Sequence, residues 1–506
     1  MTVNDPLNRR HFLKTLGYST AGLALLSSPF ISGAWAASPQ RLFQVPPLAS
    51  GVRDGKNISF SLNIQQGQTE FLNGRMTPTL GYNGSYLGPM LRVRRGDFIS
   101  IKTTNDLDVT STVHWHGMIL PANMDGGPHQ MIKPKASLVS KFEIIQPAAT
   151  LFYHSHTYHK TAEQVYFGLA GPLIIDDDET DALDIPREYG VDDLPVIIQD
   201  RDFNDDGSFR YITRMPDLML GKHGSTVMVN GVISPLLKAQ KTLLRLRVTN
   251  ASNARFYALA FNDSRPFQVI ASDGGMLEKP VTVKQLNMGP AERFEILVDV
   301  SDRKQVILQG LKGAGNVNHG PMRMMGLDGQ MDILFIDATD AKPSEHKTPS
   351  RLVHLADWSN VNIAENRHLD LNMSMGNMMG GGMSGMMGGG QSGGGFTING
   401  ATMDMNRVDF RLKKNTYEIW TFTNNSPMLH PMHVHNTQFK VLFRNGRLPS
   451  PLESGFKDTV VVGSGETVKI LMPTGPYADP NGYYMHHCHI LEHEDAGMMG
   501  QFVVVD

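Results

Sequence analysis

A single cysteine, Cys488, stands among the 506 residues of this chain. One thiol cannot build an intrachain disulfide framework, so packing must hold the cores. Cys488 is then either a small buried apolar residue or a site of chemistry. Charge of one sign is equally scarce. The 46 basic residues oppose 49 acidic ones for a net charge of −3, with no long basic run in the body of the chain. That argues against a nucleic-acid partner, which needs a concentrated positive surface. Beyond the N-terminal region no apolar run is long enough to cross a bilayer, and apolar residues seldom recur at helical spacing. What is abundant is glycine (50) and proline (29) in a composition that is 41% hydrophobic. Those values describe a globular protein rich in turns, with material for two to four domains.

The N-terminus departs from this pattern. "NRRHFLK" (8–14) precedes an apolar stretch from Leu16 to Ile31, then "AWA" at 34–36. Charged, apolar and small-x-small segments in that order make a secretory signal over residues 1–36. Arg9–Arg10 followed by Phe12 and Leu13 resembles the twin-arginine export signal. An uncleaved anchor is the alternative, but the run is short for a span of about 20 residues and contains Gly, Ser and Pro. The expectation is cleavage near Ala36, a periplasmic location and a mature form not embedded in the membrane.

A diverged repeat organises the rest. "YNGSYLGPMLRVRRGDFISIKTTN" (82–105), "VNGVISPLLKAQKTLLRLRVTN" (229–250) and "INGATMDMNRVDFRLKKNTYEIWTFTNN" (398–425) share Asn-Gly, a variable arm and an alternating apolar strand closing in Thr-Asn. Alternation puts every second side chain on one face, as a half-buried strand requires. Short strands bounded by Gly, Pro and Asn predict an all-β chain of sandwiches or barrels. Nine residues after Asn105 and Asn424 come His114 and His433, and two further on His116 and His435; the middle unit has Leu259 and Phe261 there. "FYHSHTYH" matches "MHHCHILEH", with Ser155 where Cys488 stands. Three copies of one β domain are expected at 40–178, 179–345 and 346–506. Acidic 176–184 and polar 338–350 serve as linkers.

Four His-x-His pairs, 114/116, 154/156, 433/435 and 487/489, lie at matched repeat positions in the outer units. On a strand such a pair shares one face, as metal ligation needs. One pair is weak evidence; four are hard to explain as solvated surface. Imidazole suits copper, zinc, iron and nickel, whereas a thiolate with two imidazoles and a weak thioether suits a blue copper site. His430, Cys488 and His493 supply the equatorial donors, and Met498 the long axial one. If the strand holds through 487–489, Cys488 points one way and its neighbours the other. The thiolate then bridges two sites. His486 shares the Cys488 side and is left out of the ligand set.

HWHG (114–117), HSH (154–156), HPMHVH (430–435) and HCHILEHEDAGM (487–498) resemble the four copper motifs of the multicopper oxidases, in order and with none missing. The resemblance covers essentially the whole mature chain. It implies three consecutive cupredoxin-like Greek-key β-barrel domains and four copper ions. Type 1 would be held by His430, Cys488, His493 and Met498, and type 2 by His114 and His433. The type 3 pair would be held by His116, His154, His156, His435, His487 and His489. The implied reaction is four one-electron oxidations, transfer through Cys488 and reduction of O₂ to two waters, by a chain expected to be monomeric. Four protons are consumed, and Asp125 in "MDGG" and Glu494 match the family's acidic positions. Their alternative reading is as ordinary surface acids.

The reductant turns on "NMSMGNMMGGGMSGMMGGGQSGGG" (372–395), with seven methionines among glycines. A flexible linker is one reading and an adaptable apolar face another. A linker does not require methionine, which oxidises readily, while thioether has affinity for Cu(I). The combination resembles the periplasmic copper-efflux oxidases, cuprous oxidases of the CueO type. Met373, Met375, Met378, Met379 and Met428 become candidate substrate contacts. One departure is Ser426, where such proteins carry an acid. The expected function is oxidation of Cu(I) to Cu(II) for copper tolerance. The alternatives are a laccase-like oxidase of phenols or other small aromatic donors, and a non-catalytic scaffold or copper store. Cell-division relatives of the fold lack the ligands that are all present here.

Overall fold

Residues 41–313, 329–373 and 395–506 are described by a computed structural model. The signal segment, Met375, Met378 and Met379 of the Met-rich insert, and residues 321–328 lie outside the described residues. The structure is nearly all β; the longest described helix, Thr161–Phe167, has 7 residues. No described helix is long and apolar enough to cross a membrane.

Among the described residues six sheets come in three pairs along the chain. In the first, Asn57–Leu72 alternates buried and exposed side chains, and a four-stranded partner sheet carries His114–His116 beside Ala149–His154. Ile64, Leu91, Trp115 and Leu151 fill the core between them. The second pair spans Asp193–Arg201 to Met331–Asp337, around Leu246, Leu259, Ile296 and Leu308. The third combines the Ile363–Met373 sheet with one built on His430–Val434 and Asp479–Cys488, around Trp420, Phe422 and Met432.

The repeat has a physical cause at two asparagines. Asn83, Asn230 and Asn399 take positive φ (57°, 51° and 53°), a conformation Asn tolerates. Each then stitches its turn to a strand in the same way. Its Oδ1 accepts from Asn63, Ile197 or Asp370 N–H, and its Nδ2 donates to the carbonyl two residues earlier, of Ser61, Pro195 or His368. In every unit that strand pairs in parallel with the strand closing in Thr-Asn. The closing Asn105, Asn250 and Asn424 are fully buried. Each accepts from the N–H two residues on, at Leu107, Ser252 or Ser426. Each also donates forward, to the carbonyl of Val109, Arg255 or Met428. In the first and third units these loops lead into the histidine strands, so Asn105 and Asn424 set where those histidines start.

The acidic stretch 176–184 is less free than a linker. Asp177 caps the short helix Asp178–Asp181 by accepting Thr180 N–H, and Arg94 pairs with Asp178 and Asp181. Carboxylates so close need a cation, and Arg94 supplies one to two of them.

Candidate metal centre

Strand periodicity sorts the donors. His430–Val434 pairs with Asp479–Cys488 in the register Met432 to Cys488 and His433 to His487. His430 and Cys488 therefore share one face; His433, His435 and His487 share the other. The strand ends at Cys488, and His489 N–H still donates to Pro431 O at 2.6 Å, which keeps His489 on the His487 side. His486 packs over Trp420 and Phe410 and belongs to neither donor group.

On the first face, His430 Nδ1 and His493 Nδ1 lie 3.3 and 3.7 Å from Cys488 Sγ. The outer nitrogens are already committed. His430 Nε2–H donates to Ser426 Oγ (2.8 Å), and His493 Nε2–H to Met219 O (3.1 Å). Both Nδ1 lone pairs thus face the sulfur. Met498 is fully buried in the same apolar cluster, and its carbonyl accepts Cys488 N–H. Phe396 stacks on His493 at 3.8 Å between centroids. Burial pushes His430 down to about 3 and the Cys488 thiol well up.

Behind Cys488, eight imidazoles from the first and third sheet pairs converge. His156, His435 and His487 form one trio, with Nε2 of His487 3.2 Å from Nε2 of both others. His116 Nδ1 lies 3.4 Å from His154 Nε2, and the His489 ring is 5.0 and 5.2 Å from those two rings. His114 and His433 complete the set with centroids 5.8 Å apart. Each gives Nδ1–H to a carbonyl, of Asp125 and Asp458 respectively, and leaves Nε2 buried with no hydrogen-bond partner.

Two acids flank the rings. Asp125 Oδ2 is 2.6 Å from His435 Nδ1, and burial holds its carboxyl well above the usual range. Glu494 reaches His156 Nδ1 (3.3 Å) and His487 Nδ1 (3.1 Å). Neither is a surface acid. Sequence reasoning missed Asp458, 3.1 Å from His116 Nε2, and Arg293, which pairs with it.

A cation fits here on physical grounds. The Nδ1–H groups point outward, so bare Nε2 lone pairs meet about the trio at 3.2 Å in a buried site. Burial, and then the neighbouring rings, hold His156 and His435 well below the usual imidazole range. Protonating either ring therefore does not relieve the repulsion, whereas a metal would. Of the candidate substrate contacts expected from the sequence, Met428 is buried and Met373 half-buried, both against the cluster that holds Cys488.

The multicopper oxidase family profile matches residues 63–180 and 367–506. The Staphylococcus aureus multicopper oxidase mco is 38% identical over 450 residues, 88% of each chain. The cell division protein FtsP of Escherichia coli K12 is 34% identical over 509 residues, 98% of this chain and 99% of that one. Among solved structures, the laccase-like multicopper oxidase CueO of Ochrobactrum sp., with oxidase activity towards lignin model compounds, superposes with TM-score 0.83. It is 33% identical over 92% of this chain and all of that one. A Campylobacter jejuni multicopper oxidase described as a metallo-oxidase gives 0.79 at 27% identity, over 92% of this chain and 96% of that one.

Proposed function

The chain belongs to the multicopper oxidase family, and from that premise we propose that it oxidises Cu(I) to Cu(II) with O₂ as acceptor, in periplasmic copper tolerance. One observation carries the reading. Cys488 sits between a His430–His493 pair on one side and, through its chain neighbours His487 and His489, the eight-imidazole cluster on the other.

The donor sets suit copper: His430, Cys488, His493 and Met498 at one place, His114 and His433 at a second, and six histidines about a pair. Four copper ions bound there would supply one-electron uptake beside the sulfur and four-electron oxygen chemistry behind it. The protein holds these donors buried and pre-aimed. Ser426 and Met219 O orient the two rings facing Cys488, while Asp125 and Glu494 orient rings of the cluster. The carboxylates of Glu494 and Asp125 also carry protons to the oxygen being reduced.

For the substrate, His430 and His493 are both fully buried, so a bulky donor cannot touch either ring. Met428, Met373, Met375, Met378 and Met379 offer soft contacts through which Cu(I) approaches. The protein is exported by the twin-arginine pathway and acts as a monomer of three cupredoxin domains, at 40–178, 179–345 and 346–506. The test is oxygen uptake by the copper-loaded protein with Cu(I) and with a phenol, before and after deletion of 373–387. Loss of cuprous turnover with phenol turnover kept or raised is expected. Unchanged cuprous turnover would sink the assignment.

A laccase-like reading has its own support. A cavity of about 710 Å³ is lined by Phe256, Met288 and Leu429, the residue that precedes His430 in the chain. In that case the phenol is the faster substrate in the same assay. A scaffold role, suggested by the FtsP likeness, predicts a copper-treated protein that stays colourless.

A further inference from the structure

His114 and His433 are equivalent repeat positions, as are His116 and His435. Two acids serve them crosswise. The Asp125 carbonyl accepts His114 Nδ1–H (2.9 Å) while its Oδ2 meets His435 Nδ1 (2.6 Å). The Asp458 carbonyl accepts His433 Nδ1–H (2.8 Å) while its Oδ1 meets His116 Nε2 (3.1 Å). The pseudo-two-fold breaks at one point: Asp125 engages Nδ1 and Asp458 engages Nε2. His435 thus turns Nε2 to His487, and His116 turns Nδ1 to His154.

Arg293 is the asymmetric element. It comes from the strand Arg293–Asp299 of the middle sheets, where no predicted ligand lies. All five of its N–H donors are used. Nε serves Thr150 O; Nη1 serves Ala291 O and Asp458 Oδ1 (2.7 Å); Nη2 serves Asp273 O and Asp458 Oδ2 (2.5 Å). Such a two-pronged pair allows the carboxylate little rotation. Thr459 Oγ1 also donates to Asp458 Oδ1, at 3.0 Å. Asp125, by contrast, has no lysine or arginine ion pair among the described residues. Room for the clamp is made by Gly117 of HWHG, whose φ is 84°. A Cβ there would sit 2.5 Å from Asp458 Oδ2 and 3.0 Å from Arg293 Nη2.

We propose that Arg293 and Asp458 are positioning residues that lock His116 in its Nε2–H tautomer, so that it presents Nδ1 to the cluster while His435 presents Nε2. The middle unit, without a ligand of its own, thereby fixes one corner of the site. A metal-bound histidine whose tautomer is left free offers the wrong nitrogen part of the time.

This rests on the copper reading, so the first measurement needs no copper. ¹⁵N NMR of the metal-free, histidine-labelled protein, with His116→Gln and His435→Gln for assignment, should show His116 protonated on Nε2 and His435 on Nδ1. The opposite tautomer at His116 overturns the proposal. The paired change Arg293→Met with Asp458→Leu replaces buried charges by apolar groups of similar size, a swap that folded proteins tolerate. Expected are averaged His116 shifts and, on titration with copper, at least tenfold weaker uptake of one ion per chain. A single Nε2–H tautomer with wild-type uptake in that variant also overturns it. A wild type that takes up no copper would defeat the oxidase reading and leave the tautomer result standing.

Discussion

Cys488 N–H donates to Met498 O at 3.0 Å, and Met498 N–H returns to His493 O at 2.8 Å. In the first sheet pair Ser155 N–H donates to Leu169 O at 3.1 Å, and Leu169 N–H returns to Gln164 O at 3.0 Å. Six residues after the buried Asn424 stands His430; six after Asn105 stands Ser111. The frame is the same and the occupants differ. Ser155 Oγ and Ser111 Oγ close on Gln164 Oε1 at 2.6 and 2.8 Å. Hydroxyls and an amide satisfy one another inside the protein and leave nothing for a metal. A thiol and two outward-anchored imidazoles leave lone pairs facing each other. The backbone offers the position in both places, and side-chain chemistry makes only one of them a redox site.

The bluntest way to break this contrast is Cys488→Ser, which makes the third unit resemble the first. Oxygen uptake should fall by at least about 1,000-fold, or ~4 kcal/mol of barrier, with the blue colour lost and the thermal midpoint nearly kept. Next comes pH. With burial holding His430 near 3 against 6.5 when unfolded, the unfolded chain takes up a proton in that window and the folded one does not. Stability of the metal-free protein therefore falls as pH drops below 6.5. His430→Ser should make that fall shallower by up to about 1.4 kcal/mol per pH unit, by calorimetry across the window. Asn105→Ala and Asn424→Ala should each cost about 1–3 kcal/mol in urea unfolding. Only Asn424→Ala should shift the blue absorption, because its loop carries Ser426 and His430. The mildest is Gln164→Leu, which takes the acceptor from Ser111 Oγ while Ser155 Oγ keeps Thr157 Oγ1 at 3.0 Å; it should cost about 1–2 kcal/mol and leave the copper count per chain unchanged. A change in that count would mean that the first-unit cluster serves the metal after all.

The threefold repeat was legible because Asn-Gly and Thr-Asn do the same hydrogen-bonding job in each unit. The split of Cys488 from His487 and His489 was legible because a strand alternates regardless of what packs on it. The acidic run 176–184 was misleading in part, since its pairing with Arg94 joins residues 84 and 87 apart. Asp458 was invisible for a related reason. It follows His433 by 25 residues, whereas Asp125 follows His114 by 11, so no repeat alignment superposes the two acids.

By itself, then, the sequence determined which donors exist and which side of each strand they take, because strand periodicity is a property of neighbouring residues. Only the tertiary structure decided which nitrogen each ring turns inward and which acid and arginine hold it there. At His116 that choice depends on hydrogen bonds between residues 165 and 342 positions apart, and it comes into being only when the three sheet pairs close around one buried cluster.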